Sequence, residues 1–168
     1  LDTKYGITKA NFTTIHSSTS SQNTVDTNQY KNRINRSIYN NIIPHTTGAS
    51  KSIISIIPNL NGKIVGTSVR VPVINVSLLD LNIKLDKTTN IEEIFNEIKK
   101  NPYIQLNENM FLVSSDFNTT TCSTILDRFS SMELGNNEYK LMIWYDNEWS
   151  YSYNVIQLLK HIININET

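Results

Sequence analysis

Two stretches in which apolar and polar residues alternate, Lys63 to Val73 and Asn75 to Leu85, follow one another almost without a break. Successive side chains of a strand point to opposite faces, so alternation over that length marks half-buried strands and excludes a helix. The pair reads as two long antiparallel strands, with Val76, Leu78, Ile83 and Leu85 among the residues facing a core. A chain holding such a pair is built around a sheet.

Other segments supply the cover. Thr46 or Thr47 caps a helix that carries Ile53, Ile54, Ile56 and Ile57 and stops at Pro58. Thr89 and Glu92 have capping-box spacing, and Ile91, Ile94, Phe95 and Ile98 form one stripe up to Pro102, so this helix should lie on the buried face of the sheet. Val155, Leu158, Leu159 and Ile162 mark a closing amphipathic helix. Phe12 to Ile15, Phe111 to Phe117, Ser123 to Asp127 and Tyr139 to Asp146 are further strand candidates. The expectation is a single α+β domain over residues 1–168, with a large mostly antiparallel sheet and helices on one face.

Between Ser17 and Asn41 the chain is polar and aperiodic. A loop of that length in a compact domain is expected to line a site or to meet another subunit. Fifteen Lys and Arg balance fifteen Asp and Glu, so no net field draws the chain to nucleic acid or an anionic membrane, and any anion site must be local. No apolar run reaches bilayer-spanning length and no signal-peptide core opens the chain, so a cytoplasmic protein is expected. A single cysteine, Cys122, excludes an internal disulfide. No metal site is expected, and no Gly-rich strand-to-helix phosphate loop of the dinucleotide-binding kind occurs. Leu1 to Ile7 reads as the end of an element, so a preceding segment is expected.

Four places carry polar groups that a simple core or surface would not require. His16 ends an apolar strand, where an imidazole acts either as general base or as a hydrogen-bonded structural residue. Thr46, Thr47 and Gly48 offer hydroxyls and amides at a helix start, suited to a phosphate or to ordinary capping. Arg70 interrupts an apolar strand and needs an anionic partner, either a ligand or a structural carboxylate. Asn147, in Trp144-Tyr145-Asp146-Asn147-Glu148-Trp149, holds a planar amide or belongs to a capped turn.

In order and identity these stretches resemble one family. The matching runs are Phe12-Thr13-Thr14-Ile15-His16-Ser17, Asn41-Ile42-Ile43-Pro44, Thr47-Gly48-Ala49-Ser50-Lys51, Arg70-Val71-Pro72, Asn75-Val76-Ser77, Val113-Ser114-Ser115-Asp116-Phe117-Asn118 and Trp144 to Trp149 with Tyr151-Ser152. They are similar to the catalytic half of phosphorylating glyceraldehyde-3-phosphate dehydrogenases. That resemblance implies a cysteine nucleophile activated by His16, hydride transfer to NAD, and cleavage of the thioester by inorganic phosphate. It makes Thr19 and Arg70 ligands of the substrate phosphate, and Thr47 with Gly48 ligands of the attacking phosphate. Asn147 would hold the nicotinamide carboxamide with Tyr151 beside it, while most of the NAD would be bound by a Rossmann half absent from this chain. Glyceraldehyde 3-phosphate, inorganic phosphate and like subunits of a homotetramer are the implied partners, Arg33 and Arg36 matching arginines of the loop that reaches a neighbouring subunit.

The family's Ser-Cys-Thr-Thr-Asn stretch is absent, and Cys122 lies in a different part of the pattern, so this chain alone is expected to be inactive. Ser150 stands where a glycine is usual and would strain the turn if positive φ were required. Glu108 and Asp127 are expected on the solvated surface. Erythrose-4-phosphate dehydrogenase shares the scaffold but typically lacks the phosphate site of Thr47-Gly48-Ala49, and a non-enzymatic phosphate-binding remnant is the reading from another class.

Overall fold

The computed structural model describes residues 1–26 and 32–166, so residues 27–31 of the expected long loop lie outside the described residues. Strands β1 (Ile7–His16), β2 (Ile43–Thr46), β3 (Ile64–Arg70), β4 (Ser77–Leu85), β5 (Ile104–Asn107), β6 (Thr124–Gly135) and β7 (Glu138–Tyr145) form one sheet in the order β2-β3-β1-β4-β7-β6-β5. The β1–β3 and β5–β6 pairs are parallel and the others antiparallel. The sheet is therefore mostly antiparallel, in the α+β class expected. β3 and β4 do run in opposite senses, but β1 lies between them.

The register lines up the apolar rows of the inner face. Ile64, Ala10, Ile83 and Tyr139 stand opposite one another across four strands, and Phe12, Leu81 and Leu141 form the next row. Helices α1 (Asp2–Tyr5), α2 (Ala49–Ile56) and α3 (Ile91–Ile98) bring Tyr5, Ile53, Ile94 and Phe95 onto this one core. Ile94 is fully buried. The cap of α3 falls one residue later than Thr89/Glu92 spacing implies: Asn90 Oδ1 accepts from Glu93 N (2.9 Å), and Thr89 donates to the Glu93 carboxylate. The outer face carries Thr13, Thr67, Asn11 and Asn82, with Lys140 Nζ 2.6 Å from Asp80 Oδ2.

One strand expectation and one surface expectation fail for local reasons. Phe111 to Phe117 holds no strand, because Asp116 Oδ2 accepts from Val113 N (2.8 Å) and coils Ser114–Phe117 into a 3-10 turn. The missing partner is β5, just upstream. Asp127 is buried, not solvated: Oδ2 accepts from Asn107 Nδ2 (2.9 Å) and Trp144 Nε1 (3.1 Å), and Oδ1 from Ser130 N (2.9 Å). Burial alone would raise its pKa, but the bonds from Trp144, Asn107 and Ser130 together hold it below the ordinary carboxylate range.

The closing helix α4 (Trp149–Asn166) forms, yet its apolar stripe is uncovered: Leu158, Leu159 and Ile162 are 58, 55 and 46% exposed. No described helix is long and apolar enough to cross a membrane.

Phe12 seats its ring over Gly66, its register partner on β3. A Cβ at Gly66 would fall 2.1 Å from Phe12 Cζ. Gly66→Ala should therefore cost about 1 to 3 kcal/mol by overpacking. In urea denaturation Phe12→Leu should recover part of that loss, and strictly additive effects of the two changes would refute the contact.

Candidate active site

His16 and Arg70 are far apart in sequence but are register partners at the carboxyl ends of parallel strands β1 and β3. Parallel pairing sets their side chains next to each other, a juxtaposition that two strand termini facing opposite ways could not produce. Arg70 NH1 lies 2.6 Å from His16 Nδ1 and donates to Ser17 O (3.0 Å). No carboxylate meets Arg70 among the described residues, so the structural salt bridge weighed for it is not formed there. Its Nε is buried without a hydrogen-bond partner. Tyr145 closes the other side of the imidazole edge-on, 6.0 Å between ring centres.

Burial lowers the His16 pKa from the ordinary imidazole value, and the Arg70 charge adds to this, while the Ser17 carbonyl and Glu148 work against it. Burial also lowers the Arg70 pKa, and it raises that of the Tyr145 phenol.

A second group of contacts fixes Asn147, just beyond β7. Ser17 Oγ and Ser77 Oγ both donate to Asn147 Oδ1, at 2.8 and 3.0 Å, and Ser77 Oγ accepts from Ser17 N (3.1 Å). Both serines are buried. Asn147 Nδ2 is left pointing the other way, where it donates to Glu148 Oε1 (3.1 Å). The amide plane is thus held from β1 and β4 at once.

Val76 immediately precedes Ser77 with φ 64, a left-handed backbone that a β-branched residue rarely adopts. Packing of Val76 against Phe117 and Ile125 holds it there. The kink aims Asn75 at Asp146 and Ser77 at Asn147. Strain maintained by surrounding packing is a mark of functional segments.

The remaining candidates lie less close. Thr19 follows Ser18, which is pinned to Val73 O, and its hydroxyl donates to Gln22 Oε1 (3.0 Å). Thr47 Oγ1 accepts from Ala49 N (3.1 Å), and Gly48 is the N-cap of α2. β2 runs antiparallel to β3, placing Ile43 opposite Arg70 and Thr46 opposite Thr67, so Thr47 and Gly48 follow the end of β2 away from Arg70. Tyr151 is exposed and lines a cavity of 320 Å³ with Ser123, Tyr145, Asn147 and Asn154. Arg36 pairs with Asp26 at 2.9 Å, and Arg33 lines a cleft with His45, Thr46 and Ser68. Cys122 packs beside Phe117 and its thiol donates to Gln105 Oε1 (3.6 Å). Ser150 is helical, with no positive φ, and its hydroxyl donates to Asp146 O (2.5 Å), so the expected strain is absent.

Ser17 and Ser77 are site residues that inspection of the sequence did not single out. Both lie inside the runs that carry the resemblance, but small hydroxyl residues give no local signal of what they bond.

A half-buried histidine beside an arginine that meets no described carboxylate, with a clamped carboxamide on the same sheet end, marks the candidate site of this α+β domain. Residues 1–147 match the glyceraldehyde 3-phosphate dehydrogenase C-terminal domain, and the chain belongs to that family. It is 41% identical over 166 residues to a glyceraldehyde-3-phosphate dehydrogenase of Omphalotus olearius, covering 95% of this chain and 49% of that protein. With the Shimwellia blattae enzyme of the same name the identity is 40% over 165 residues, 94% and 50% of the two chains. With the cytosolic glyceraldehyde-3-phosphate dehydrogenase 3 of Zea mays it is 39% over 172 residues, 96% and 50%. The chain spans about half the length of the curated relatives it matches.

Proposed function

We propose that this chain is the substrate-binding half of a phosphorylating, NAD-dependent glyceraldehyde-3-phosphate dehydrogenase acting in cytoplasmic glycolysis. The observation that carries the reading is the His16–Arg70 pair, an imidazole 2.6 Å from a cation that meets no carboxylate among the described residues. Arg70, with Thr19, takes the substrate phosphate, and Thr47 with Gly48 the attacking phosphate. His16 removes the proton of a cysteine thiol supplied by a segment outside this chain. NAD supplies the hydride acceptor; its nicotinamide carboxamide is held by Asn147 beside Tyr151, and the rest by a Rossmann half. The exposed apolar stripe of α4 supports such a partner half, because an uncovered stripe of that size marks an interaction surface. Exposed Phe129, Met132 and Leu134 on β6 support contact with like subunits of a homotetramer.

Fusing the upstream half of the Omphalotus olearius relative ahead of Leu1 tests the reading. The fused protein should form NADH only with glyceraldehyde 3-phosphate and phosphate together, with erythrose 4-phosphate a poorer substrate. This chain by itself should form none, and turnover by it would refute the external cysteine. Phosphate should raise the melting temperature of the chain; Arg70→Ala should abolish that rise while His16→Ala should not. An unchanged response in Arg70→Ala would remove Arg70 from the anion site.

A further inference from the structure

The side-chain amide of Asn147 can sit in two ways, related by a half-turn that exchanges Oδ1 and Nδ2, and its neighbours favour one of them. On one side lie Ser17 Oγ at 2.8 Å and Ser77 Oγ at 3.0 Å; on the other lies Glu148 Oε1 at 3.1 Å. With Oδ1 toward the serines, each of its two lone pairs takes one hydroxyl proton, and Nδ2 meets a carboxylate oxygen that only accepts. Turned over, the carbonyl oxygen would face that carboxylate. Both N–H groups would then point at hydroxyl oxygens, of which Ser77 Oγ already accepts from Ser17 N (3.1 Å). The first arrangement pairs donors with acceptors on both sides; the second sets two acceptors against each other.

The two serines are placed to hold this choice. Ser17 follows the last residue of β1 and Ser77 opens β4, the neighbouring strand, and neither is more than 1% exposed. Their hydroxyl oxygens lie 3.4 Å apart, so they converge on one acceptor. The left-handed turn at Val76 fixes the approach of Ser77. Glu148, by contrast, is exposed, so its carboxylate is the contact that a ligand can displace. Asn147 also lines the 320 Å³ cavity with Tyr145 and Tyr151. With Oδ1 taken by two buried hydroxyls, Nδ2 is the polar end that the amide can offer.

We propose that Ser17 and Ser77 are positioning residues that hold Asn147 donor-outward, so that this end of the site selects a ligand group presenting a strong acceptor, a carbonyl oxygen. A group presenting a weaker acceptor is disfavoured by the loss of that bond, and one presenting only donors by donor facing donor. The orientation of the amide rests on the hydrogen bonds around it. Its use in recognising a nicotinamide carboxamide rests on the role proposed above for Asn147.

Nitrogen relaxation NMR reads the clamp in this chain without any cofactor. The side-chain N–H pair of Asn147 is the one lost in Asn147→Asp. Its order parameter should be about 0.85, as for rigid backbone, and should fall below about 0.6 in the Ser17→Ala/Ser77→Ala double variant. Ser17→Ala alone leaves Ser17 N bonded to Ser77 Oγ and should give an intermediate value, which decides the matter if the double variant does not fold. A pair that stays as rigid as in the wild type overturns the clamp. In the fused enzyme the serine variants should raise KM for NAD by up to about 3- to 10-fold, the worth of one neutral hydrogen bond, and change kcat less. Preference for NAD over its thionicotinamide analogue, whose sulfur is the weaker acceptor, should shrink with it. Serines that merely support the fold would lower the melting temperature and leave that preference intact, which would overturn the positioning role. Should Asn147→Ala leave the preference intact as well, the nicotinamide reading of Asn147 fails with it, while the relaxation measurement still decides the clamp.

Discussion

Replacing His16 by Asn in the fused enzyme should lower kcat by about 10²- to 10⁴-fold, the ordinary contribution of a positioned general base. That loss corresponds to about 3 to 5 kcal/mol of barrier. Asparagine keeps much of the volume of the ring and a polar atom near Arg70, so the substrate phosphate still finds its ligand and KM should change only a few fold. Arg70→Ala should show the opposite split, with KM for glyceraldehyde 3-phosphate raised more than kcat is lowered.

A purely structural histidine predicts something else. Its replacement would weaken the fold and leave the rate per folded molecule intact. The pH profile separates the cases. Burial, with the Arg70 charge in support, holds the His16 pKa below its ordinary value, so the acid limb of kcat/KM should fall below the usual imidazole range and vanish in His16→Asn. Stability follows the same sign: the unfolded chain binds the proton first, so stability is lost as pH falls from about 6.5 towards the folded pKa. An acid limb that survives in His16→Asn would take the role of base away from His16.

How much of this was legible in the sequence differs between fold and site. Alternation disclosed β3 and β4, and helical stripes disclosed α2, α3 and α4, because each signal lies within one element. The insertion of β1 between β3 and β4 is a long-range choice of partner, made by burying Ala10 and Phe12 from both sides, and no local pattern encodes it. Phe111 to Phe117 misled because apolar spacing outweighed Asp116, whose carboxylate takes a backbone amide and closes a turn. Asp127 misled in the converse way, since a carboxylate reads as surface until Trp144 and Asn107 are seen to serve it. At the site, His16, Arg70 and Asn147 stood out as polar residues in apolar surroundings. Their mutual geometry did not: the His16–Arg70 pairing comes from parallel register, and the Asn147 clamp from the left-handed turn at Val76.

Asp146→Ala should be the most damaging single change to the fold of this end of the sheet, at about 3 to 5 kcal/mol. The carboxylate is 1% exposed and accepts four hydrogen bonds: from Glu148 N and Trp149 N through Oδ1, and from Asn75 Nδ2 and Thr119 N through Oδ2. Removing it strips the cap from α4, about 1 kcal/mol, and strands donors that a charged acceptor had served at about 1.5 to 3 kcal/mol each before relaxation. For a domain of this size the loss corresponds to a melting shift on the order of 10 °C. Asp146→Asn should be intermediate, because its carbonyl oxygen can still cap Glu148 and Trp149 while its amide faces donors on the other side. Thermal and urea denaturation check both variants, and a loss below about 1 kcal/mol in Asp146→Ala would mean that solvent replaces the carboxylate. The functional consequence follows from chain order. Asp146 ties the start of α4 to Asn75 and Thr119, and Asn147 is the next residue, so loosening that tie should free the Asn147 amide from Ser17 and Ser77 before it unfolds the sheet.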